Sequence, residues 1–243
     1  MKCKITNKII EPFMTFGKMP IANGFVKKEN FNKEYFFEME VGFNEELSLF
    51  QLNDHPKPEK MFNKNYPFFT GSSEFMKDHF KEYANFVKKN YLNSNSKIVE
   101  IGSNDGTFLQ NFIDNKKNII GFEPSDNVAE IAKYNQIPII NEFFNTENVS
   151  KLTEFLGNTD LVCASNAICH VPDLNNLIES IDLLLSKSGT FVFEEPYLGS
   201  MFNRVSYDQI YDEHIFIFSA TAIKNIFMRY NFDLIDAIPQ ATH

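Results

Sequence analysis

Three cysteines, Cys3, Cys163 and Cys169, are all that this chain of 243 residues carries. Such scarcity excludes a disulfide-framed secreted scaffold, and reduced thiols fit a cytoplasmic address. Long apolar runs are missing as well. The opening MKCKITNKII has no signal-peptide core, and no stretch approaches the ~20 apolar residues of a bilayer span, so no membrane partner is expected. A basic excess is also lacking. With 23 Lys and Arg against 32 Asp and Glu the formal charge is −9, and without a basic face there is no counterion release to drive general nucleic-acid binding. Apolar bulk, by contrast, is plentiful: 43% hydrophobic residues, 27 of them Phe, suffice for a full α/β core and a small additional domain.

Residues 98–109, IVEIGSNDGTFL, join a short apolar strand to a polar loop bracketed by glycines and then to a helix. Ile98, Val99 and Ile101 suit a sheet covered on both faces. Gly102 and Gly106 allow a tight turn and close approach of a ligand to the backbone. A dinucleotide fingerprint needs Gly-x-Gly-x-x-Gly, and here Ser103, Asn104 and Asp105 separate the two glycines, so the middle glycine that admits a pyrophosphate is absent. The remaining Glu-x-Gly-x-x-x-Gly, from Glu100 to Gly106, resembles the first motif of class I S-adenosylmethionine (SAM) dependent methyltransferases. Asp105 suits the cationic amino group of such a ligand. About 20 residues further on, NIIGFE reads as a second strand ending in Glu123, the placement expected for an acid that binds both ribose hydroxyls, with Pro124 beside it.

Along the chain, residues 1–73 alternate β-like runs such as EYFFEMEV and LSLFQL with DHPKPEK and KNYPFF, have weak periodicity and read as a small irregular domain, and residues 74–243 as a Rossmann-like domain. Glu74 to Tyr91 has helical spacing. Beyond it strands are expected at 97–102, 118–123, 137–140, 159–165, 189–195 and 232–239, and helices from near Thr107, Asp126, Thr146, Asp173 and Ser219. This alternation argues for an α/β fold with a parallel sheet. The stripes in 173–186 and 219–230 are core packing, with Asp173 a natural N-cap.

Further motifs narrow the family. NAICHVPD at 166–173, EEPY at 194–197, YDEH at 211–214 and the terminal PQATH, with PIANGF, YPFFTGSS and MKDHF nearer the start, resemble SAM-dependent C-methyltransferases acting on nucleotide-linked keto-sugars. The resemblance spans the whole chain. It implies SAM as cofactor, a small-molecule nucleotide sugar as partner, and a reaction in which a base removes a proton α to a keto group. His214 is the matched base, Tyr211 a donor to the enolate oxygen or part of a relay, and Glu213 orients the histidine or binds a sugar hydroxyl. Asn166 lines the methionine end of SAM, while His170 faces the sugar or caps a helix. Tyr66 and Tyr197 are expected on the substrate side, and Phe143 or Phe144 flanks the adenine or belongs to the core.

Two departures stand out. Family members hold zinc with paired Cys-x-x-Cys motifs, but Cys3 is followed by Thr6 and VGFNEE at 41–46 contains no cysteine. A metal-free remnant stabilised by aromatic residues is expected, with His55 in a surface loop. Relatives also continue beyond the terminal motif, so the chain reads as a fragment that leaves the sheet edge beside 189–195 open. A nicotinamide-dependent sugar reductase and a non-catalytic SAM-binding module are the rival readings. A thiol nucleophile at Cys169 lacks any oxyanion device.

Overall fold

A computed structural model describes residues 1–240 of the protein. Its first sheet arises where periodicity was weak. Strands β1 (Pro12–Pro20), β2 (Phe36–Asn44) and β3 (Leu49–Leu52) form an antiparallel meander. Strand β2 buries alternate residues, Phe37, Met39 and Val41, as the two-residue period of a pleated strand requires. Strand β3 is buried on both faces, so it shows no alternation. The β-like runs EYFFEMEV and LSLFQL thus become β2 and β3, and where an irregular domain was expected they are ordered into a sheet.

A short helix α1 (Pro58–Met61) and a 3₁₀ turn at Thr70–Ser72 lead to α2 (Glu74–Tyr91). Its N-cap Ser73 accepts the Met76 N–H, an arrangement worth about 1 kcal/mol, and Phe80, Ala84 and Val87 form its buried stripe. Then come β4 (Ile98–Ile101), β5 (Ile119–Phe122), α3 (Asp126–Tyr134), β6 (Ile139–Ile140), α4 (Thr146–Val149), β7 (Thr159–Ser165), α5 (Leu174–Leu184) and β8 (Leu185–Glu194). These strands form a parallel sheet of order β6-β5-β4-β7-β8, the expected α/β class. The chain runs outward from β4 to β6 and then crosses to β7. Loops after β4 and β7 therefore diverge, which opens a crevice at the carboxyl ends of both strands.

The segment after the glycine loop is a 3₁₀ helix, Leu109–Asn118, where a helix beginning near Thr107 was expected. Asn111 supplies the reason. Its carboxamide donates to the carbonyls of both Thr107 and Phe108, competing with the backbone ladder of an α-helix.

After β8 follow α6 (Leu198–Arg204), β9 (Phe216–Ile217) and α7 (Ala220–Phe227), the last capped by Ser219 through the Ala222 N–H. The two-residue β9 pairs antiparallel with β3, Phe50 opposite Ile217 and Gln51 opposite Phe216. It thereby completes the first sheet from late in the chain. Cys3, Ile5, Leu47 and Leu49 lie in one hydrophobic cluster with Val99, Phe122, Val162, Ile181 and Phe216, so the two parts share a core.

No strand forms at 232–239. Phe232 packs edge-on against Phe227 with ring centroids 5.8 Å apart, after which Leu234, Ile235 and Ile238 are exposed. A strand needs a ladder, and among the described residues nothing pairs with the outer edge of β8. Ala241, Thr242 and His243 of the terminal motif lie outside the described residues. No helix among those described is long and apolar enough to cross a membrane.

Candidate active site

Gly102 ends β4 with φ +65°, and a Cβ built there would stand 2.8 Å from the Ala167 Cβ. Only glycine fits both the backbone and the space. The next two residues fold back onto β5: the Ser103 N–H donates to the Phe122 carbonyl at 2.9 Å, and the Asn104 N–H donates to the Glu123 carboxylate at 3.0 Å. The other Glu123 oxygen accepts the Ser125 N–H at 2.7 Å. Glycine loop and acid thus form one unit. Above them a cavity of about 1110 Å³ opens, lined by Glu100, Gly102, Ser103, Asn104, Glu123 and Pro124, at the upper end of small-molecule sites. Phe143, Phe144, Asn166 and His170 line it too. Phe144 also packs edge-on against Phe122 with centroids 5.1 Å apart.

Three expected contacts are corrected. Asp105 does not line the cavity; its oxygens accept the Gly71 N–H at 2.7 Å and the Thr107 hydroxyl at 2.6 Å. Together with Asn104, which accepts the Thr70 N–H at 2.8 Å, it anchors the turn before α2. With its lone pairs so engaged, Asp105 serves the scaffold. Gly106 also lies off the cavity wall. A Cβ there would come within 2.8 Å of the Ile137 side chain, so its smallness serves packing. Tyr197 is 51% exposed and bridges Phe218; its neighbour Pro196 lines the cavity instead.

The opposite wall is built around His214. Its Nδ1 lies 2.8 Å from the Gln209 carbonyl and its Nε2 lies 3.2 Å from the Tyr211 hydroxyl. A carbonyl can only accept, so Nδ1 carries the proton in the neutral ring and Nε2 keeps its lone pair. His170 stacks on His214 at 5.4 Å and Phe62 stacks on His170 at 5.6 Å. Burial, and then the nearby His214, hold His170 down to about 3, so this ring is neutral. Glu213 accepts from Asn23 Nδ2 at 2.6 Å and from the Tyr66 hydroxyl at 3.4 Å. Asp212 accepts the Ala22 N–H at 3.1 Å. Residues 22, 23 and 66 of the first part are thereby tied to the 211–214 segment. Burial, and then the Glu213 charge, push the Tyr66 and Tyr211 hydroxyls well above the ordinary phenol range, and both remain protonated donors.

Sequence reasoning gave Asn23, Phe62 and Glu195 no role. Asn23 stood within PIANGF and Glu195 within EEPY, so the motifs were visible but the partners were not. Glu195 accepts the N–H groups of Ala167, Ile168 and Cys169 at 3.0, 2.7 and 3.3 Å. Burial raises its carboxyl to about 7. It fixes the turn that delivers His170. Cys169 is buried, and desolvation followed by Glu195 raises its thiol well above the usual range, which keeps it a protonated, inert group.

A model of the methyltransferase domain matches residues 74–237, and one of a zinc binding domain matches residues 3–62. The chain belongs to the methyltransferase family. Its parallel sheet has the fold of solved SAM-dependent methyltransferases. C-methyltransferase NovU from Streptomyces niveus is 24% identical over 232 residues, a match that covers 95% of this chain and 55% of NovU. The chain spans about half the length of that relative. Carboxy-S-adenosyl-L-methionine synthase from Nautilia profundicola is 26% identical over 191 residues, covering 75% of this chain and 73% of the synthase. Among solved structures, a SAM-dependent methyltransferase from Archaeoglobus fulgidus superposes with TM-score 0.53 at 18% identity, covering 64% of this chain and 67% of the other. One from Leishmania major gives 0.50 at 15% identity, covering 68% and 67%. Both likenesses are of fold.

The methyltransferase's cavity suits a cationic donor. Glu100 and Glu123 both line it, and one oxygen of Glu100 is buried with no protein partner. Desolvation first, and then Asp105, push both carboxyls above their ordinary value. A bound sulfonium and ammonium oppose that shift and favour the ionised acids. SAM affinity is therefore expected to rise as pH rises from the normal carboxylate range toward the raised values, with protons released on binding. The linkage to folding runs the other way: the folded chain holds these protons more tightly than the unfolded one, so their contribution to stability declines over the same window. Titration calorimetry in two buffers of different ionisation heat reads the release directly, and identical enthalpies in both would exclude it.

Proposed function

We propose that this methyltransferase methylates a carbon of a nucleotide-linked keto-sugar, with His214 as the base. One observation carries the reading: His214 Nε2 lies 3.2 Å from the Tyr211 hydroxyl, with Nδ1 held by the Gln209 carbonyl, on the wall of the cavity that Gly102 and Glu123 also line. The similarity to NovU, whose name describes a C-methyltransferase, supports it.

In this reading Glu123 and Pro124 hold the ribose, Phe143 and Phe144 flank the adenine, and Gly102, Ser103, Asn104, Asn166 and Glu100 surround the amino-acid end. When bound, SAM supplies the electrophilic methyl group. A sugar carbon beside a carbonyl is not nucleophilic until its C–H bond is broken. His214 Nε2 takes that proton, and the Tyr211 hydroxyl donates a hydrogen bond to the developing enolate oxygen. Gln209 stabilises the resulting imidazolium through Nδ1–H. Neutral His170 presents its ring face to the new charge, with Phe62 behind it, and excludes water. Glu213 sets the positions of Asn23 and Tyr66, both on the cavity wall, as contacts for the sugar.

The test supplies SAM with a deuterated methyl group and a panel of nucleotide-linked keto-sugars. The expected product carries the label on carbon. In D2O, with S-adenosylhomocysteine replacing SAM, the same sugar is expected to exchange its α-proton. Label appearing only on oxygen or nitrogen, with no exchange, would remove the C-methylation reading and leave the methyltransferase assignment intact.

A further inference from the structure

Two hairpin turns in the first part of the chain have the same form. In one, the Cys3 N–H donates to the Lys8 carbonyl at 2.8 Å and the Lys2–Ile9 bridge closes the hairpin. In the other, Asn44 pairs with Leu49 across β2 and β3. Numbering each from its first residue, the fifth takes a left-handed backbone: Asn7 with φ 60° and Ser48 with φ 54°. Cys3 and Thr6 occupy positions one and four of the first turn; Asn44 and Leu47 occupy them in the second. These are the positions at which paired Cys-x-x-Cys turns offer four thiolates to a tetrahedral zinc.

The turns also face each other. Asn44 Nδ2 reaches Thr6 Oγ1 at 3.5 Å, while its Oδ1 accepts the Leu47 N–H at 2.9 Å. Cys3 and Leu47 are buried in the same hydrophobic cluster. Gln51, fully buried on β3, accepts the Lys4 N–H at 3.0 Å and donates to the Lys2 carbonyl at 3.0 Å. It sews the first hairpin to the second.

This donor set does not fit zinc: one thiol, one hydroxyl, one carboxamide and one aliphatic side chain cannot supply the Cys or His ligands of a structural site. His55 does not fill the gap, because even with Cys3 it would bring the Cys and His ligands to only two of the four a structural zinc takes. We propose that these hairpins are a zinc-knuckle pair in which the metal cross-link has been replaced by side-chain hydrogen bonds from Asn44 and Gln51 and by packing of Cys3 against Leu47. The lobe then folds without metal, although it belongs to a type built around one. Aromatic residues of the lobe contribute as well, Phe37 of β2 and Phe50 of β3 packing with Ile210 and Ile217 in a second cluster.

The experiment uses the full chain. Wild-type protein purified with zinc in the medium is expected to contain no stoichiometric metal and to melt at the same temperature with or without chelator. Gln51→Ala is expected to lower Tm by about 4 °C or more, independently of zinc, since it strands a buried donor and acceptor. Thr6→Cys/Asn44→Cys/Leu47→Cys, refolded with cobalt(II), is expected to bind one ion per chain with a tetrahedral thiolate spectrum and to gain zinc-dependent thermal stability. One zinc per wild-type chain whose removal lowers Tm would overturn the proposal. So would an unchanged Tm in Gln51→Ala, or a folded triple variant that takes no cobalt. Should the triple variant not fold, wild-type metal content and the Gln51→Ala melt decide alone.

Discussion

His214→Gln lowers the rate of methyl transfer by about 10²- to 10⁴-fold, the usual share of a positioned general base, and leaves SAM affinity unchanged. Glutamine is polar and of similar reach, so the wall beside Tyr211 and His170 is preserved while the proton acceptor is removed. The loss therefore belongs in kcat, together with the α-proton exchange measured in D2O. Tyr211→Phe bears on the same step from the other side, since it keeps the base and removes the donor to the enolate oxygen. A His214→Gln enzyme that turns over at the wild-type rate removes the imidazole from the chemistry.

Gly102→Ala weakens both the donor site and the fold. The left-handed backbone at this position costs a non-glycine residue about 1–2 kcal/mol. The added methyl must displace Ala167, from which it would be 2.8 Å away, and overpacking of this kind costs roughly 1–3 kcal/mol. A loss of SAM affinity of about 10²-fold is expected, each factor of ten corresponding to about 1.4 kcal/mol. Tm falls with it. Calorimetry with SAM and a thermal melt measure the two effects separately. A variant that melts lower but binds SAM as tightly as wild type would place the strain outside the donor site.

Much of the second part of the molecule was legible because its signals are local. Ser73, Asp173 and Ser219 cap α2, α5 and α7, and β4 and β5 fall on the two runs that end in Glu-x-Gly and Glu123. What escaped depends on partners distant in sequence. Asp105 has the composition of a cation ligand, yet Gly71 and Thr107 claim its oxygens. Tyr197 belongs to a substrate motif but emerges on the outer face, because β8 ends at Glu194 and the chain turns into α6. Asn23 and Glu213 are separated by 190 residues, a pairing no spacing rule reveals. The strand expected at 232–239 had suitable residues and no neighbour. For β3, inside the β-like run LSLFQL, what escaped was its pairing with β9 some 165 residues later.

Strand β9 begins two residues after His214 and is held by β3. The proposed base is thus mounted on a joint whose other leaf lies some 165 residues earlier in the chain. Substitutions around Phe50 and Gln51 are therefore expected to reach the base through β9, and because Phe216 packs in one cluster with Val99 and Phe122 the donor side shares that support.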